Sequence, residues 1–196
     1  MQSSANMARV GGLVSVLDGV LWIALGLLTF LVQPHPWAAS SVYDYLAIAL
    51  FSCALLALVG GLVGLHVSQT GRSRKRKGLE KISFSLAVIG ATVAAVGNLA
   101  EDWLRIPLMG WVYLLGIFTL IAGLLFFAIA ILQTKVLPRW YGWTLLIGSL
   151  GLLASMFGGS ILFGLILIVL GYALWKDQTS VSVPSERVHQ ETHLHS

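Results

Sequence analysis

Long apolar runs separated by short polar segments dominate the chain. Six of them approach the ~20 residues that a helix needs to cross the ~30 Å hydrocarbon core of a bilayer. They cover residues 10–32, 43–66, 82–100, 108–132, 140–157 and 161–175. The runs are apolar on every face, whereas the strands of a membrane barrel alternate. The pattern predicts an all-α polytopic membrane protein, a bundle of six transmembrane helices.

The last two runs are short and are joined only by residues 158–160. We expect them to form a tight helical hairpin; a re-entrant pair that does not cross is the alternative. Each hairpin consists of one outgoing and one returning helix, so the six runs form three hairpins in chain order. The predicted transmembrane domain covers residues 1–176, and residues 177–196 form a flexible cytoplasmic tail.

Composition agrees with the pattern of runs. Hydrophobic residues make up 57% of the chain and charged residues only 10%. Soluble domains carry about 25% charged residues, so a soluble globular fold is excluded. Disorder is excluded for the same reason. The single cysteine, Cys53, excludes a disulfide framework and any CxxC site.

The basic residues predict the orientation. Lysine and arginine mark the cytoplasmic side because their translocation is disfavoured. If both termini are cytoplasmic, Arg105 alone among the 12 basic residues lies outside. Tryptophan and tyrosine cluster near the ends of the runs, where interfacial aromatic belts form. The sequence predicts a plasma (inner) membrane protein with both termini in the cytoplasm.

One cytoplasmic loop is densely basic and contains Arg72, Arg74, Lys75, Arg76 and Lys77. Next to two membrane spans, such a cluster determines topology and contacts anionic lipids of the inner leaflet. The loop is short and has no aromatic residue on which a base could stack. We therefore expect contact with lipid and no nucleic-acid binding.

Asp18 is the one charged residue well inside a predicted span. Such a carboxyl costs about 2.5–3.5 kcal/mol at a helix centre unless it is protonated, paired or hydrated. Ser15, Thr144, Ser149 and Tyr172 are candidate neighbours at a similar depth. Asp18, with Ser15 and Tyr172, is a possible coupling site for a proton or cation. A carboxyl held by hydroxyl groups, or one in a water-filled vestibule, is the structural alternative.

A second polar group closes the outer end of the third run. Glu101 and Arg105 are four residues apart, in the order that favours a helical ion pair. The adjacent carboxylates of Glu101 and Asp102 point about 100° apart on a helix and do not converge. Asn98, one turn deeper, is expected to form a hydrogen bond to another helix. We interpret this cluster as a solvated helix end.

Small residues recur at the spacing that allows helices to approach closely in lipid. They include Gly60, Gly64, Ala87, Gly90, Ala91 and Ala94. Packing within the bundle is one interpretation, and a docking face for another membrane protein is the other. We expect the third helix to lie at the centre of the bundle.

No cofactor is predicted. A haem with two axial histidines inside the membrane is not expected, because His35 and His66 lie in a loop and at a helix end. His189, His193 and His195 lie in the tail, where His189 and His193 are spaced like a weak metal-binding pair. The solvated tail argues against a metal site there.

The junction between the fourth and fifth runs reads Leu137-Pro138-Arg139-Trp140-Tyr141-Gly142. It resembles a junction found in small uncharacterised multi-pass membrane proteins of bacteria. The resemblance covers only these two spans and implies a bacterial plasma-membrane setting. Physically, a proline starts the next helix and a basic-aromatic pair anchors it.

The sequence contains no nucleotide-binding, nucleophile-elbow or zinc-protease motif. We therefore expect a non-catalytic structural or accessory subunit that packs against another membrane protein, lipid or pigment. A small transporter or channel that uses Asp18 is the first alternative. A membrane enzyme acting on lipid head groups through Glu101 and Asp102 is the second.

Overall fold

The fold is all-α. The computed structural model describes residues 2–32, 41–70, 77–106, 108–134, 137–154 and 159–180. Within these ranges, six helices follow one another along the chain. They are α1 (Gln2–Val32), α2 (Val42–Thr70), α3 (Lys77–Asp102), α4 (Met109–Thr134), α5 (Arg139–Leu153) and α6 (Gly159–Ser180).

Five helices are long and apolar enough to cross a membrane: α1, α2, α3, α4 and α6. α5 has 15 residues and ends at Leu153, four residues before the predicted end of its span. At 1.5 Å per residue it is about 22 Å long, shorter than the hydrocarbon core. α6 continues to Ser180 and so includes the first four residues of the predicted tail. α1 begins at Gln2, eight residues before the apolar run.

α1 contacts α6 through glycines spaced seven residues apart. Gly12, Gly19 and Gly26 lie on one face of α1 because seven residues make almost two turns. Gly12 lies against Gly171 of α6, and Gly19 lies against Gly164. A Cβ on Gly12 would lie 2.8 Å from the Gly171 carbonyl oxygen. Residue numbers rise along α1 as those of the contacting residues fall along α6, so the two helices are antiparallel.

α3 and α4 are packed in the same way. Small residues of α3 recur at alternating intervals of three and four: Ala87, Gly90, Ala94 and Gly97. Ala87 contacts Gly123 of α4, Ala94 contacts Gly116, and Gly90 contacts the backbone of Leu120. On the other side of the bundle, Gly60 of α2 faces Val14 and Gly64 faces Gly11. Ala91 is fully buried.

The expectation that the third helix is central is wrong. Each helix packs mainly against two others, which are its neighbours along the chain, and α1 and α6 close the ring. α3 is therefore equivalent in position to the rest. Its many small residues serve one very close contact with α4, because small side chains shorten the distance between two helices without requiring a third.

We predict that Gly90→Ala destabilises the protein by about 1–3 kcal/mol, the usual cost of overpacking. The added Cβ would lie 2.6 Å from the Leu120 Cα, so a backbone must move. Thermal unfolding in detergent measures the effect. Gly78→Ala is the matched control on the same helix, because nothing lies within 4 Å of its new Cβ. Equal stability of the two variants would contradict this packing.

Candidate functional site

Asp18 lies near the middle of the apolar part of α1, which runs from Asn6 to Val32. Its side chain has no exposed surface, and neither carboxyl oxygen has a hydrogen-bond partner in the described part of the chain. The other buried charged residues there are Asp44 and Glu80, near opposite ends of the bundle. Burying a polar group without a partner costs several kcal/mol, and the cost is larger for a charged group.

The group that faces Asp18 is the indole of Trp22, four residues further along the same face of α1. Trp22 is also fully buried, and its Nε1 has no hydrogen-bond partner in the described ranges. The carboxyl and the indole N–H therefore lie near each other without meeting hydrogen-bond geometry. A small movement of the indole would make or remove this one internal contact.

The neighbours predicted for Asp18 are engaged elsewhere. Ser15 is buried, but its hydroxyl donates to the Leu167 carbonyl of α6 over 3.1 Å. Thr144 and Ser149 donate to carbonyls of their own helix. Tyr172 is 55% exposed on the surface of α6, whereas Asp18 is fully buried, so the inclusion of Tyr172 in the Asp18 site is wrong. Sequence indicates depth along a helix but does not fix the direction of a side chain.

Four aromatic rings from four helices meet beside Asp18, towards the end of α1. Trp22 meets Phe51 of α2 edge to face at 5.5 Å and Phe163 of α6 at 5.1 Å. Phe51 in turn meets Tyr113 of α4 at 5.9 Å. Edge-to-face pairs add about 0.5–1.5 kcal/mol each to the burial of the rings. We call these four side chains the aromatic layer.

Asn98 forms the interhelical hydrogen bonds that its depth predicted. Its Nδ2 donates to the Ser52 hydroxyl over 2.9 Å and to the Ile48 carbonyl over 3.3 Å, both on α2. These bonds connect α2 and α3 near the end of α3. Asn98 therefore has a structural role between two helices.

The helical ion pair expected between Glu101 and Arg105 does not form. α3 ends at Asp102, and Arg105 lies beyond it with a φ of 55°, in the left-handed region. The Ile106 N–H bonds back to the Ala100 carbonyl over 3.3 Å, which is a helix-terminating turn that usually uses glycine. The Glu101 carboxylate instead packs over Gly110 at the start of α4. Glu101 thus lies across the α3–α4 turn.

A polar group that sequence reasoning missed lies at the opposite end of the bundle. Glu80 of α3 is buried, and its Oε1 lies 3.4 Å from His66 Nδ1 of α2. The His66 ring stacks on Phe84 at 4.2 Å. Gln69, one turn beyond His66, is buried with both amide atoms unbonded in the described ranges. Glu80 could have been found, because it continues the three-four spacing of small residues on α3 at 83, 87, 90, 94 and 97.

Several predicted residues lie outside the described ranges. These are Arg72, Arg74, Lys75 and Arg76 of the basic loop and the histidines of the tail. Lys77 is the first residue of α3. Among the described residues, no group of three histidine, cysteine or acidic side chains could hold a metal ion.

Comparison with known proteins finds no matching family model, curated protein or solved structure. A fold alone would not determine a function in any case, because one fold serves many functions. Asp18 and the side chains around it are therefore the features from which a function is inferred.

We predict a favourable coupling of about 0.6 kcal/mol, and at most about 1.7 kcal/mol, between Asn98 and Ser52, the range measured for hydrogen bonds between membrane helices. A double-mutant cycle of Asn98→Leu and Ser52→Ala, followed by unfolding in detergent, measures it. Thr92→Ala replaces Asn98→Leu in the control cycle, because the Thr92 hydroxyl bonds within α3. Equal coupling in both cycles would contradict the assignment.

Proposed function

We propose that the chain is a small proton-coupled transporter or channel in which the Asp18 carboxyl binds and releases a proton. The observation that carries the proposal is a fully buried carboxyl with neither oxygen bonded in the described part of the chain. Ionisable residues inside membrane spans are rare and usually mark ion or proton pathways. A structural carboxyl at this depth would be expected to have its oxygens paired.

Proton binding fits these surroundings better than metal-ion binding. A metal cation needs several oxygen ligands in place of its hydration shell. Near Asp18, the Ser15 hydroxyl already donates to Leu167, and the facing group, the Trp22 N–H, is a donor. A carboxyl can exchange a proton with a transient water without any further ligand. We therefore assign a proton as the coupled ion.

The accessory-subunit proposal ranks second. Its sequence support was the small-residue stripes, and Gly60, Gly64, Ala87, Gly90 and Ala94 are all used in contacts between helices of this chain. A partner protein, a lipid or a pigment would have to bind to other surfaces. The lipid-enzyme proposal ranks third, because Glu101 lies against Gly110.

The proposed topology has six spans arranged as three hairpins, with both termini in the cytoplasm of a bacterial cell. The support for this topology is that the helix ends lie at two levels. The starts of α1, α3 and α5 lie at the same level as the ends of α2, α4 and α6. The contacting pairs are Gly11 with Gly64, Gly12 with Gly171, Glu80 with His66, and Gly142 with Leu132. We call this the basic end and the opposite one the outer end.

The basic loop begins and ends at the basic end, after Thr70 of α2 and before Lys77 of α3. We propose that Arg72, Arg74, Lys75, Arg76 and Lys77 contact anionic lipids of the inner leaflet, each worth about 1 kcal/mol. For α5 to cross as the fifth span, the bilayer must thin locally or the flanking residues must reach its surface.

We predict that Asp18→Asn abolishes proton flux, because an amide cannot take up and release a proton. The measurement uses proteoliposomes with a trapped pH-sensitive dye and a potassium diffusion potential set by valinomycin. Unmodified protein is expected to change the internal pH, and Asp18→Asn to match protein-free liposomes. A flux that survives Asp18→Asn, or no flux from unmodified protein, would overturn the proposal.

Asp44→Asn is the matched control, because it also neutralises a buried acidic side chain on a membrane helix. Asp44 accepts the Ser41 N–H over 2.8 Å, and the Ser41 hydroxyl accepts the Asp44 N–H over 3.2 Å. This reciprocal cap begins α2. The control should lose about 1 kcal/mol of stability and keep its flux.

We predict that a cysteine introduced at Ser73 reacts with a membrane-impermeant thiol reagent only in inside-out vesicles, and one at Ala39 only in right-side-out vesicles. Both are made with Cys53→Ser, which removes the native exposed thiol. Labelling of Ser73→Cys from the outside would contradict the orientation, because it would place the basic loop on the wrong side.

A further inference from the structure

Asp18 and Trp22 carry complementary polar groups in the core of the bundle. An ionised carboxylate only accepts hydrogen bonds, and an indole N–H only donates them. Both side chains are fully buried, and neither the two carboxyl oxygens nor the indole Nε1 has a hydrogen-bond partner within the described ranges. The two residues are four apart on α1, which places them on one face of the helix. Each therefore carries the kind of group that the other lacks.

The helices that pack against α1 bring no charged group to this depth. α1 packs mainly against α2 and α6. Residues 46–65 of α2 and 159–171 of α6 contain no aspartate, glutamate, lysine, arginine or histidine. The one titratable side chain in these two segments is Cys53, which is exposed. In this part of the chain, hydrogen bonding is therefore the interaction left to stabilise an ionised Asp18.

The hydroxyl groups on these three helices are engaged or distant. The Ser15 hydroxyl donates to a carbonyl of α6, and the Ser52 hydroxyl of α2 is bonded to α3. Ser160 of α6 lies beside Gly26, about 12 Å along α1 from the carboxyl towards the outer end. Among the described side chains, the indole N–H is the donor that faces the carboxyl.

Two rings of the aromatic layer hold the indole in place. Phe51 of α2 and Phe163 of α6 meet Trp22 at 5.5 and 5.1 Å, with interplanar angles of 82° and 80°. The indole is thus enclosed from both helices that pack on α1, and it has no exposed surface. A donor that is already in place in a dry site stabilises a negative charge well, because little has to reorganise when the charge forms.

We infer that the Trp22 indole N–H donates a hydrogen bond to the Asp18 carboxylate when the carboxyl has released its proton, and that Trp22 is the positioning residue of the proton site. A turn of the carboxyl about its Cβ–Cγ bond, where aspartate has no sharp preference, aligns an oxygen with the N–H. Uptake of a proton by the carboxylate weakens the bond again, because hydrogen bonds to charged groups are the stronger ones. This inference rests on the proposed function and adds the group that holds the ionised state.

The first measurement observes the hydrogen bond itself. The seven indole N–H groups are recorded as ¹H–¹⁵N signals in detergent micelles while the pH is raised over the range in which the protein stays folded. The Trp22 signal is assigned by its loss in Trp22→Phe. We expect it to move downfield as Asp18 ionises, because a charge-assisted hydrogen bond is short and strong, and to stay fixed in Asp18→Asn. The signal of Trp143, which is 56% exposed on α5, is the control.

The second measurement gives the effect on proton affinity. The infrared C=O band of the protonated carboxyl, isolated by subtracting the spectrum of Asp18→Asn, reports the pH at which half of the Asp18 carboxyl in reconstituted protein has lost its proton. Trp22→Phe keeps a ring but lacks the N–H, so this midpoint should rise by about one pH unit, a tenfold change in proton affinity.

Two control variants separate hydrogen bonding from packing. Phe163→Leu removes a ring contact of the indole but keeps its N–H, and Trp143→Phe removes an indole N–H that lies outside the aromatic layer. Both should keep the midpoint close to that of unmodified protein. Size-exclusion profiles and melting temperatures in detergent show which variants remain folded. If Trp22→Phe does not fold, the pH dependence of the indole signals in unmodified protein and in Asp18→Asn decides.

A set of indole signals in which none moves downfield with pH, or in which the same signal moves equally in Asp18→Asn, would overturn the inference. An unchanged midpoint in folded Trp22→Phe, or an equal shift in Phe163→Leu, would do the same. Neither measurement requires proton flux, so the two proposals fail separately. Asp18-dependent flux with a static Trp22 signal removes only the hydrogen bond, whereas a titrating signal in protein without flux removes only the proposed function.

Discussion

The close approach of helix backbones at glycine and alanine is the constraint on which the bundle depends. Lipid is as apolar as a leucine side chain, so burial of apolar surface gives helices little reason to associate in a bilayer. Dispersion between closely packed backbones has to supply that attraction. The α1–α6 and α3–α4 contacts both use small residues at almost two-turn spacing, where a Cβ would collide with the facing backbone. Asp18 lies within the first of these contacts.

This packing explains how a carboxyl with unbonded oxygens can be held in place. Gly19, next to Asp18, lies against Gly164, and Ser15 is bonded to α6 on the preceding turn. The backbone around Asp18 is therefore fixed from both sides, and the stability of the contact offsets the cost of the buried group.

Much of the fold could be predicted from the sequence, because apolar runs of spanning length identify helices in any membrane protein. The bounds of the helices were predicted less accurately. α1 begins at Gln2, because helical hydrogen bonds continue into polar residues that a hydropathy pattern excludes. Asp18 was found because a single charged residue stands out in an apolar run. The interhelical hydrogen bond of Asn98 was found because its depth along α3 was enough to predict it. Tyr172 was wrong because its place depends on which face of α6 meets a neighbour, and periodicity barely indicates that face in a helix that is apolar all round. Glu80 was missed although the three-four spacing of small residues on α3 points to the face on which it lies.

The closure of the ring by the first and last helices has a consequence for biosynthesis. The Ser15 hydroxyl finds its acceptor 152 residues later in the chain. At a translation rate of about 5–20 residues per second, α1 is in the membrane for roughly 8–30 s before α6 exists. During that interval the glycine face of α1 and the Asp18 carboxyl have no α6 to cover them. The nascent protein therefore passes through a stage in which a membrane segment that carries a carboxyl is open to lipid, to chaperones or to a membrane protease, and synthesis of the last helix ends that exposure.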